Sequence, residues 1–257
     1  MGRDSLYLNF GWWEDGQTNY DTACEALAIE LGEAAGMKSG ERLLDTGCGF
    51  GDQDLLWLER FGLEHITAVN ISERQVRRAR ERVAERELSE QIDVVHGSAT
   101  ATELPSASYD VVTALETAFH YDTREEFFRE AYRVLAPGGR LALADPIPQE
   151  GSLSSLRFRM EMRVNRAFWQ IPADNVYEPT AYRDKLAQAG FEGIEMRSIR
   201  DRVYPGLLEF MRNAADTPDY QQRFDPVFLK GLRSVGGSTT AFNGMDYFIV
   251  TATKPAA

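Results

Sequence analysis

The 257-residue chain carries a net charge of −12, and 43% of it is hydrophobic. That composition supports a packed core and excludes global disorder, and the length suits one large α/β domain or such a domain with a grafted cap. The acidity disfavours DNA and RNA as partners, because polyanion binding rests on clustered Lys and Arg. No apolar run approaches the roughly 18–20 residues that span a bilayer.

The N-terminal stretch Met1-Gly2-Arg3-Asp4 lacks the basic-then-apolar order of a secretory leader. Leu6 stands where a myristoylation start requires Ser or Thr. Cys24 and Cys48 make neither a disulfide framework nor a zinc set. A reducing cytoplasm is therefore the expected location, with a small-molecule partner and neither nucleic acid nor membrane. Tyr7, Phe10, Trp12 and Trp13 crowd the start of the chain. A helix is predicted over 21–36, with Asp21 as N-cap and Leu27 and Leu31 at helical spacing. Residues 1–37 thus read as an aromatic lid and a helix.

Strands and helices then alternate. Arg42–Asp45 is a short apolar strand, a Gly-rich turn follows, and a helix is expected near 52–61. Ile66–Ile71 is the second strand, and over 73–87 Val76, Ala79 and Val83 form the inward face of a helix with arginines outside. Ile92–His96 and Asp110–Leu115 are the third and fourth strands. Thr123 to Glu126 is a capping box that opens a helix with Phe127, Ala131 and Val134 on one face. Pro137-Gly138-Gly139 stops it, and Arg140–Asp145 is the fifth strand. Such alternation means a parallel sheet with helices on both faces.

Beyond Asp145 the rhythm loosens. Residues 152–169 read as a helix with Leu156, Met160, Val164 and Phe168 on one side, within a cap spanning 152–178. Pro179–Ala189 is a helix stopped by Gly190, Glu195–Val203 a strand, and Met245–Thr253 the last strand, so 179–257 returns to the sheet. The mostly helical 206–234 interrupts it. Both 152–169 and 206–234 are expected over the carboxyl edge, where open α/β sheets bind ligands.

The decisive segment is Leu43-Leu44-Asp45-Thr46-Gly47-Cys48-Gly49-Phe50-Gly51, an apolar strand running into a turn with glycine at alternate positions. Glycine lets the backbone turn sharply and approach a ligand closely. A dinucleotide fingerprint, G-x-G-x-x-G, is the competing reading. Its third position here is Asp52, where close helix–strand packing wants glycine, and a carboxylate at the helix start repels a pyrophosphate.

The segment resembles the first signature of the class I S-adenosylmethionine-dependent methyltransferases. The resemblance continues through Ala68–Ser72 with Gln75, Gly97–Ala99, Tyr109–Val112, Ala114–Glu116 and Arg133–Gly139, covering about residues 40–146. It implies a doubly wound, Rossmann-like sheet of seven strands, the last antiparallel, with a helical cap over the carboxyl edge. It makes 38–151 the cofactor-binding core, with S-adenosylmethionine as cofactor and S-adenosylhomocysteine as product. Closer still, Asn9-Phe10-Gly11-Trp12-Trp13 is similar to the lead-in of small-molecule methyltransferases of natural-product pathways, sugar and polyketide O-methyltransferases among them.

The resemblance also implies roles. The turn at Gly47, Cys48, Gly49 and Gly51 would reach the cofactor's methionine part. Asp45 would hold that turn or accept from the cofactor's ammonium. Asn70, followed by Ile71 and helped by Gln75, stands where many relatives grip the ribose with a carboxylate. Ser98, with Ala99, stands where Asp commonly holds the adenine amino group, and Leu115 lies at the fourth strand's end. An amide still hydrogen-bonds hydroxyls, without charge assistance.

Of the three histidines, His65, His96 and His120, only His120 follows the fourth strand at the carboxyl edge. A histidine suits proton removal because its pKa lies near the operating pH. In the sugar O-methyltransferases the stretch resembles, a His at the matching site is the base, and an Asp matching Asp145 partners it or orients the acceptor. Tyr7, Trp12, Trp13, Phe168 and Trp169 are candidates for the acceptor wall, with aromatic core as the plain alternative. Arg157, Arg159, Arg163 and Arg166 either hold an anionic acceptor group or form a solvated face. The expected function is methyl transfer to a small molecule, foremost to a hydroxyl of a sugar or other secondary metabolite with His120 as base. Carbon methylation of a prenyl-type or activated-carbon substrate is the alternative, and a cyclase or scaffold that binds the cofactor without transfer is the reading from another class. No metal-ligand cluster is readable.

Overall fold

A computed structural model describes residues 2–238 and 240–256. Met1, at the head of the N-terminal reading, and Ala257, at the end of the predicted last segment, lie outside the described residues, as does Thr239.

The element order is α1 (Tyr20–Ala34), β1 (Arg42–Thr46), α2 (Asp52–Phe61), β2 (His65–Asn70), α3 (Glu73–Glu85), β3 (Ile92–His96), β4 (Tyr109–Leu115), α4 (Arg124–Val134) and β5 (Leu135–Pro148). There follow α5 (Leu156–Phe168), α6 (Pro179–Gln188), β6 (Glu192–Ser198), α7 (Arg200–Ala214), α8 (Pro218–Arg223), α9 (Pro226–Gly236) and β7 (Met245–Thr253). The strands form one seven-stranded sheet in the order β3-β2-β1-β4-β5-β7-β6. Pairs from β3 through β5 are parallel, and β7 runs antiparallel between β5 and β6. Strand order reverses between β1 and β4, so the crevice beyond their carboxyl ends is the place for a ligand.

The two faces of the sheet are covered by separate apolar clusters. Leu27, Leu31, Trp57, Val83 and Leu207 pack on one side, and Phe127, Phe128, Tyr182 and Leu186 on the other. Burying each such side chain contributes roughly 1.5–3 kcal/mol. The inward faces expected for α3 and α4 are the buried ones, and the Thr123 hydroxyl accepts from Glu126 N–H at 3.4 Å. No helix of the described residues is long and apolar enough to cross a membrane.

Three local expectations are corrected. The cap of α1 is Asn19, whose Oδ1 accepts from Asp21 N–H at 2.8 Å. Asp21 instead accepts from the backbone of Arg3 and Ser5, tying down the N-terminal segment. The strand expected over Glu195–Val203 starts earlier and stops at Ser198, because Val203, Tyr204 and Leu207 bury one face of α7. In α5 the side with Leu156, Met160, Val164 and Phe168 faces outward, at 64–77% exposure, and Phe158 and Met162 make the buried contact. Periodicity had marked an apolar face correctly but not which of two faces meets the fold.

Candidate functional site

The chain leaves β1 at the switch point through Gly47, Gly49 and Gly51, at φ +74°, +58° and +79°. A Cβ on Gly47 would lie 2.5 Å from the Thr117 side chain, whereas one on Gly49 would meet open space. Gly47, Cys48 and Gly49 line a cavity of about 1050 Å³ beyond the strand ends. Gly51 lies behind it, as the left-handed N-cap of α2.

Asp45 is fully buried beneath the turn, not in the cavity wall. Its Oδ1 accepts from Thr113 Oγ1 at 2.8 Å and its Oδ2 from Gln53 Nε2 at 2.9 Å. Burial pushes its carboxyl up to about 7, against hydrogen bonds from Thr113, Gln53 and Asp54. Burial, then the charge of Asp45, raises Asp54 well above the usual carboxylate range. Of the two roles expected for Asp45, the geometry provides for holding the turn and gives it no face toward a ligand. Asp52 is taken up too: it pairs with Arg82 at 2.6 and 2.8 Å and accepts from Leu6 N–H at 3.1 Å. It therefore fastens the start of the chain beside the glycine turn.

One wall of the cavity is made by Asn70, Ile71 and Gln75 beyond β2, Ser98 and Ala99 beyond β3, and Leu115 at the end of β4. Asn70 Nδ2 donates to Gln75 Oε1 at 3.0 Å and to the Gly49 carbonyl at 3.2 Å, which binds the amide to the turn. The Ser98 hydroxyl sits 2.9 Å from that of Thr100.

His120 lines the same cavity, in the short turn Ala118–His120 after β4. Its ring lies 4.1 Å from that of Phe119. Burial holds its pKa below the ordinary histidine value, with hydrogen bonding to the Gln170 and Trp169 backbone opposing the shift. Tyr7 and Trp169 line the cavity as expected.

Trp12, Trp13 and Phe168 do not. Trp13 is 5% exposed, its ring 5.4 Å from Phe210 and its Nε1 donating to the Phe10 carbonyl at 2.7 Å. Trp12 lies between the guanidinium groups of Arg197 and Arg202, and Phe168 points outward from α5. Asp145 is also removed from the cavity. It is fully buried behind Pro146, with Arg124 Nε at 2.8 Å on Oδ2, Arg124 Nη2 at 3.2 Å on Oδ1 and the Tyr182 hydroxyl at 3.0 Å. Its oxygens are occupied by the protein, so it does not touch an acceptor.

Several residues that line the cavity carry no sequence signal of it: Met162, Ile171, Tyr204, Phe242 and Met245. Asn175, buried outside the cavity wall, carries no such signal either and ties Arg124 to the His120 turn. Glu116 lines the cavity as well; the signal available was its place directly after β4. The arginines of α5 are not in the wall, and Arg157 pairs with Glu161 at 2.7 Å. The described ionisable residues in the wall are acidic or neutral-range, chiefly Asp52, Glu116, Asp122 and His120, with neither Lys nor Arg.

The methyltransferase domain family matches residues 44–143. The chain is 36% identical to a 27-O-demethylrifamycin SV methyltransferase of Amycolatopsis mediterranei, covering 96% of this chain and 90% of the relative. It is 32% identical to an erythromycin 3''-O-methyltransferase of Saccharopolyspora erythraea, covering 99% and 85%. The chain belongs to the S-adenosylmethionine-dependent methyltransferases. This methyltransferase also has the fold of a geranyl diphosphate C-methyltransferase from Streptomyces coelicolor, with a TM-score of 0.77 at 14% identity over 97% of this chain and 92% of that one. The [4+2]-cyclase SpnF shares it too, with a TM-score of 0.74 at 24% identity over 98% and 88%. S-adenosylmethionine is the cofactor and the substrates are small molecules. The open space over Gly49, inside a cavity this large, fits a cofactor brought against bare backbone.

Proposed function

We propose that this methyltransferase acts on a hydroxyl of a bulky, uncharged secondary metabolite, a sugar or polyketide, with His120 as general base. The observation that carries the reading is His120 itself: an imidazole on the cavity wall, its pKa drawn below the ordinary histidine value by partial burial. The O-methylating relatives support it.

Gly47, Cys48 and Gly49 would hold the methionine part of the cofactor, Asn70, Ile71 and Gln75 the ribose, and Ser98, Ala99 and Leu115 the adenine side. Bound S-adenosylmethionine supplies a methyl group already activated on a sulfonium sulfur. The protein then has two tasks, to hold the acceptor oxygen in line and to take its proton. His120 takes the proton on its unprotonated ring nitrogen. Tyr204, Phe242 and Met245 give the acceptor an apolar wall that excludes water. Asp145 serves at one remove, through Arg124.

The cofactor assignment is tested at Gly49. Gly49→Val fills the open space over the turn, and S-adenosylhomocysteine should bind about 100-fold more weakly by calorimetry, a loss of about 2.8 kcal/mol. The left-handed φ adds a stability loss of about 1–2 kcal/mol, so a thermal melt should show a folded protein. Wild-type affinity in the folded variant would remove the turn from the site.

The acceptor class follows from charge. A diphosphate or other anionic head would enter a wall with acidic groups and no Lys or Arg, an unpaired burial that is strongly unfavourable. This removes the anionic-head argument for prenyl carbon methylation, since the α5 arginines lie outside. A panel of neutral hydroxylated acceptors and their phosphorylated counterparts, read by S-adenosylhomocysteine formation, should show turnover among the neutral members. Turnover confined to anionic acceptors would overturn the reading.

A further inference from the structure

By their spacing Met162, Asn165 and Trp169 fall on one face at the end of α5, and all three line the cavity. The helix then closes in a Schellman turn. Ile171 N–H donates to the Arg166 carbonyl at 2.8 Å, and Gln170 takes φ +54°, the left-handed position where glycine is the usual residue. Gln170 lines the cavity as well, and the His120 ring is hydrogen-bonded to its backbone and that of Trp169. The left-handed state alone marks no site, since Glu87 adopts it after α3, away from the cavity.

What distinguishes the end of α5 is spare hydrogen-bonding capacity. Six amide side chains line the cavity, and the fold takes up four of them. Asn9 donates to the Cys24 carbonyl and accepts from Gly11 N–H, Gln53 donates to Asp45, and Asn70 donates to Gln75. Among the described residues, the amides of Asn165 and Gln170 have no such partner. Each offers two N–H donors and a carbonyl acceptor without charge. Trp169, between them in the chain, is 50% exposed. Its ring meets Phe168 at 5.3 Å and 87°, an edge contact, and no described ring stacks on it.

An aromatic ring bordered by uncharged donors and acceptors matches a sugar, which carries hydroxyls around its rim and apolar C–H groups across its faces. We propose that the end of α5 is the acceptor's sugar subsite: Asn165 and Gln170 hydrogen-bond ring hydroxyls, and Trp169 packs against the C–H face, next to His120. The inference rests on the hydroxyl-methylation reading and narrows it from a sugar or polyketide to a glycosylated acceptor. An aglycone seated there would strip water from both amides and leave them unpaired. A site built to hydrogen-bond hydroxyls rejects the analogue that lacks them. Because the turn that carries Gln170 also bonds the imidazole, a sugar held there is fixed relative to the base.

The test compares polyketides bearing a neutral deoxysugar with their aglycones as acceptors. Gln170→Gly removes one amide and leaves the residue that the left-handed turn favours. Asn165→Ala removes the other and leaves the best helix former. Each variant should raise KM for the glycosides about 3- to 10-fold, the scale of one hydrogen bond. Combined, they should lower the kcat/KM preference for glycoside over aglycone by about 10- to 100-fold, and Trp169→Leu should lower it too. S-adenosylhomocysteine affinity and Tm should not fall. No loss, or a loss shared equally by glycoside and aglycone, overturns the proposal. Calorimetry on the protein loaded with S-adenosylhomocysteine separates this inference from the reading beneath it. A glycoside that binds in a Gln170-dependent way and is not methylated removes hydroxyl methylation and keeps the sugar subsite. Glycosides that do not bind overturn the subsite, whether or not the aglycones are methylated.

Discussion

Replacing His120 by Ala should lower kcat by about 10²- to 10⁴-fold, the scale of positioned acid–base assistance, with S-adenosylhomocysteine affinity unchanged. The two effects separate because His120 is assigned the acceptor's proton and the glycine turn the cofactor. The pH dependence follows from the direction of the shift. A base acts in its unprotonated form, and burial lowers the His120 pKa. Wild-type kcat should therefore hold across neutral pH and fall only below the ordinary histidine value of about 6.5. In the variant that limb disappears, and residual activity climbs with pH as hydroxide or an ionised acceptor removes the proton. Steady-state kinetics across pH with a neutral acceptor distinguish the cases. Near-normal kcat with a flat profile in His120→Ala would rule out the role.

Those parts of the site that depend on backbone shape were legible from residue types. Glycine at 47, 49 and 51 after an apolar strand specifies a turn few other residues adopt, and all three take positive φ. The last strand was legible to the residue, because Met245–Thr253 is rich in aromatic and β-branched residues around the apolar run Tyr247–Val250 and is bounded by Gly244 and Pro255. Aromatic residues were not, since a cavity wall and a core ask for the same chemistry. Tyr7 and Trp169 line the cavity while Trp13 is wedged against α7. Asp145 was expected at the end of the fifth strand, but β5 runs on to Pro148, and the partners of Asp145 come from α4 and from Tyr182 on α6. Nothing local in the sequence announces that meeting. Glu116 was visible as a position and not as a buried carboxyl, because the Phe10 contact exists only after the N-terminal segment folds back.

The buried cluster behind His120 makes the second large prediction. Arg124 gives Asp145 two hydrogen bonds, donates to the carbonyls of Asn175 and Pro146, and lies 5.2 and 5.5 Å from the ring centres of Tyr177 and Tyr182. Its backbone N–H donates to Asn175 Oδ1 at 2.9 Å, and Asn175 Nδ2 in turn donates to the carbonyls of Phe119 and Tyr121 at 3.0 and 2.7 Å. The carbonyls of the residues on either side of His120 are thus moored to the cluster. Arg124→Leu keeps apolar volume and orphans the Asp145 carboxylate, and breaking a buried pair from one side costs about 3–5 kcal/mol. At about 2–4 °C per kcal/mol for a chain this long, Tm should fall by roughly 6–20 °C. The deficit should depend on pH with a defined sign. Burial already raises the Asp145 pKa against the opposing charge of Arg124, so removing Arg124 raises it further. A carboxyl with a folded pKa above its unfolded one is harmless while both states are protonated, and it destabilises increasingly as pH rises from the unfolded to the folded value. The Tm gap between variant and wild type should therefore narrow on acidification and widen toward neutral pH. Because the mooring holds the His120 turn and not the glycine turn, kcat should fall in folded Arg124→Leu at low temperature while S-adenosylhomocysteine affinity persists. A Tm within about 2 °C of wild type, parallel across pH, would mean that Asp145 is held by Tyr182 alone and that the arginine contributes little to placing the base.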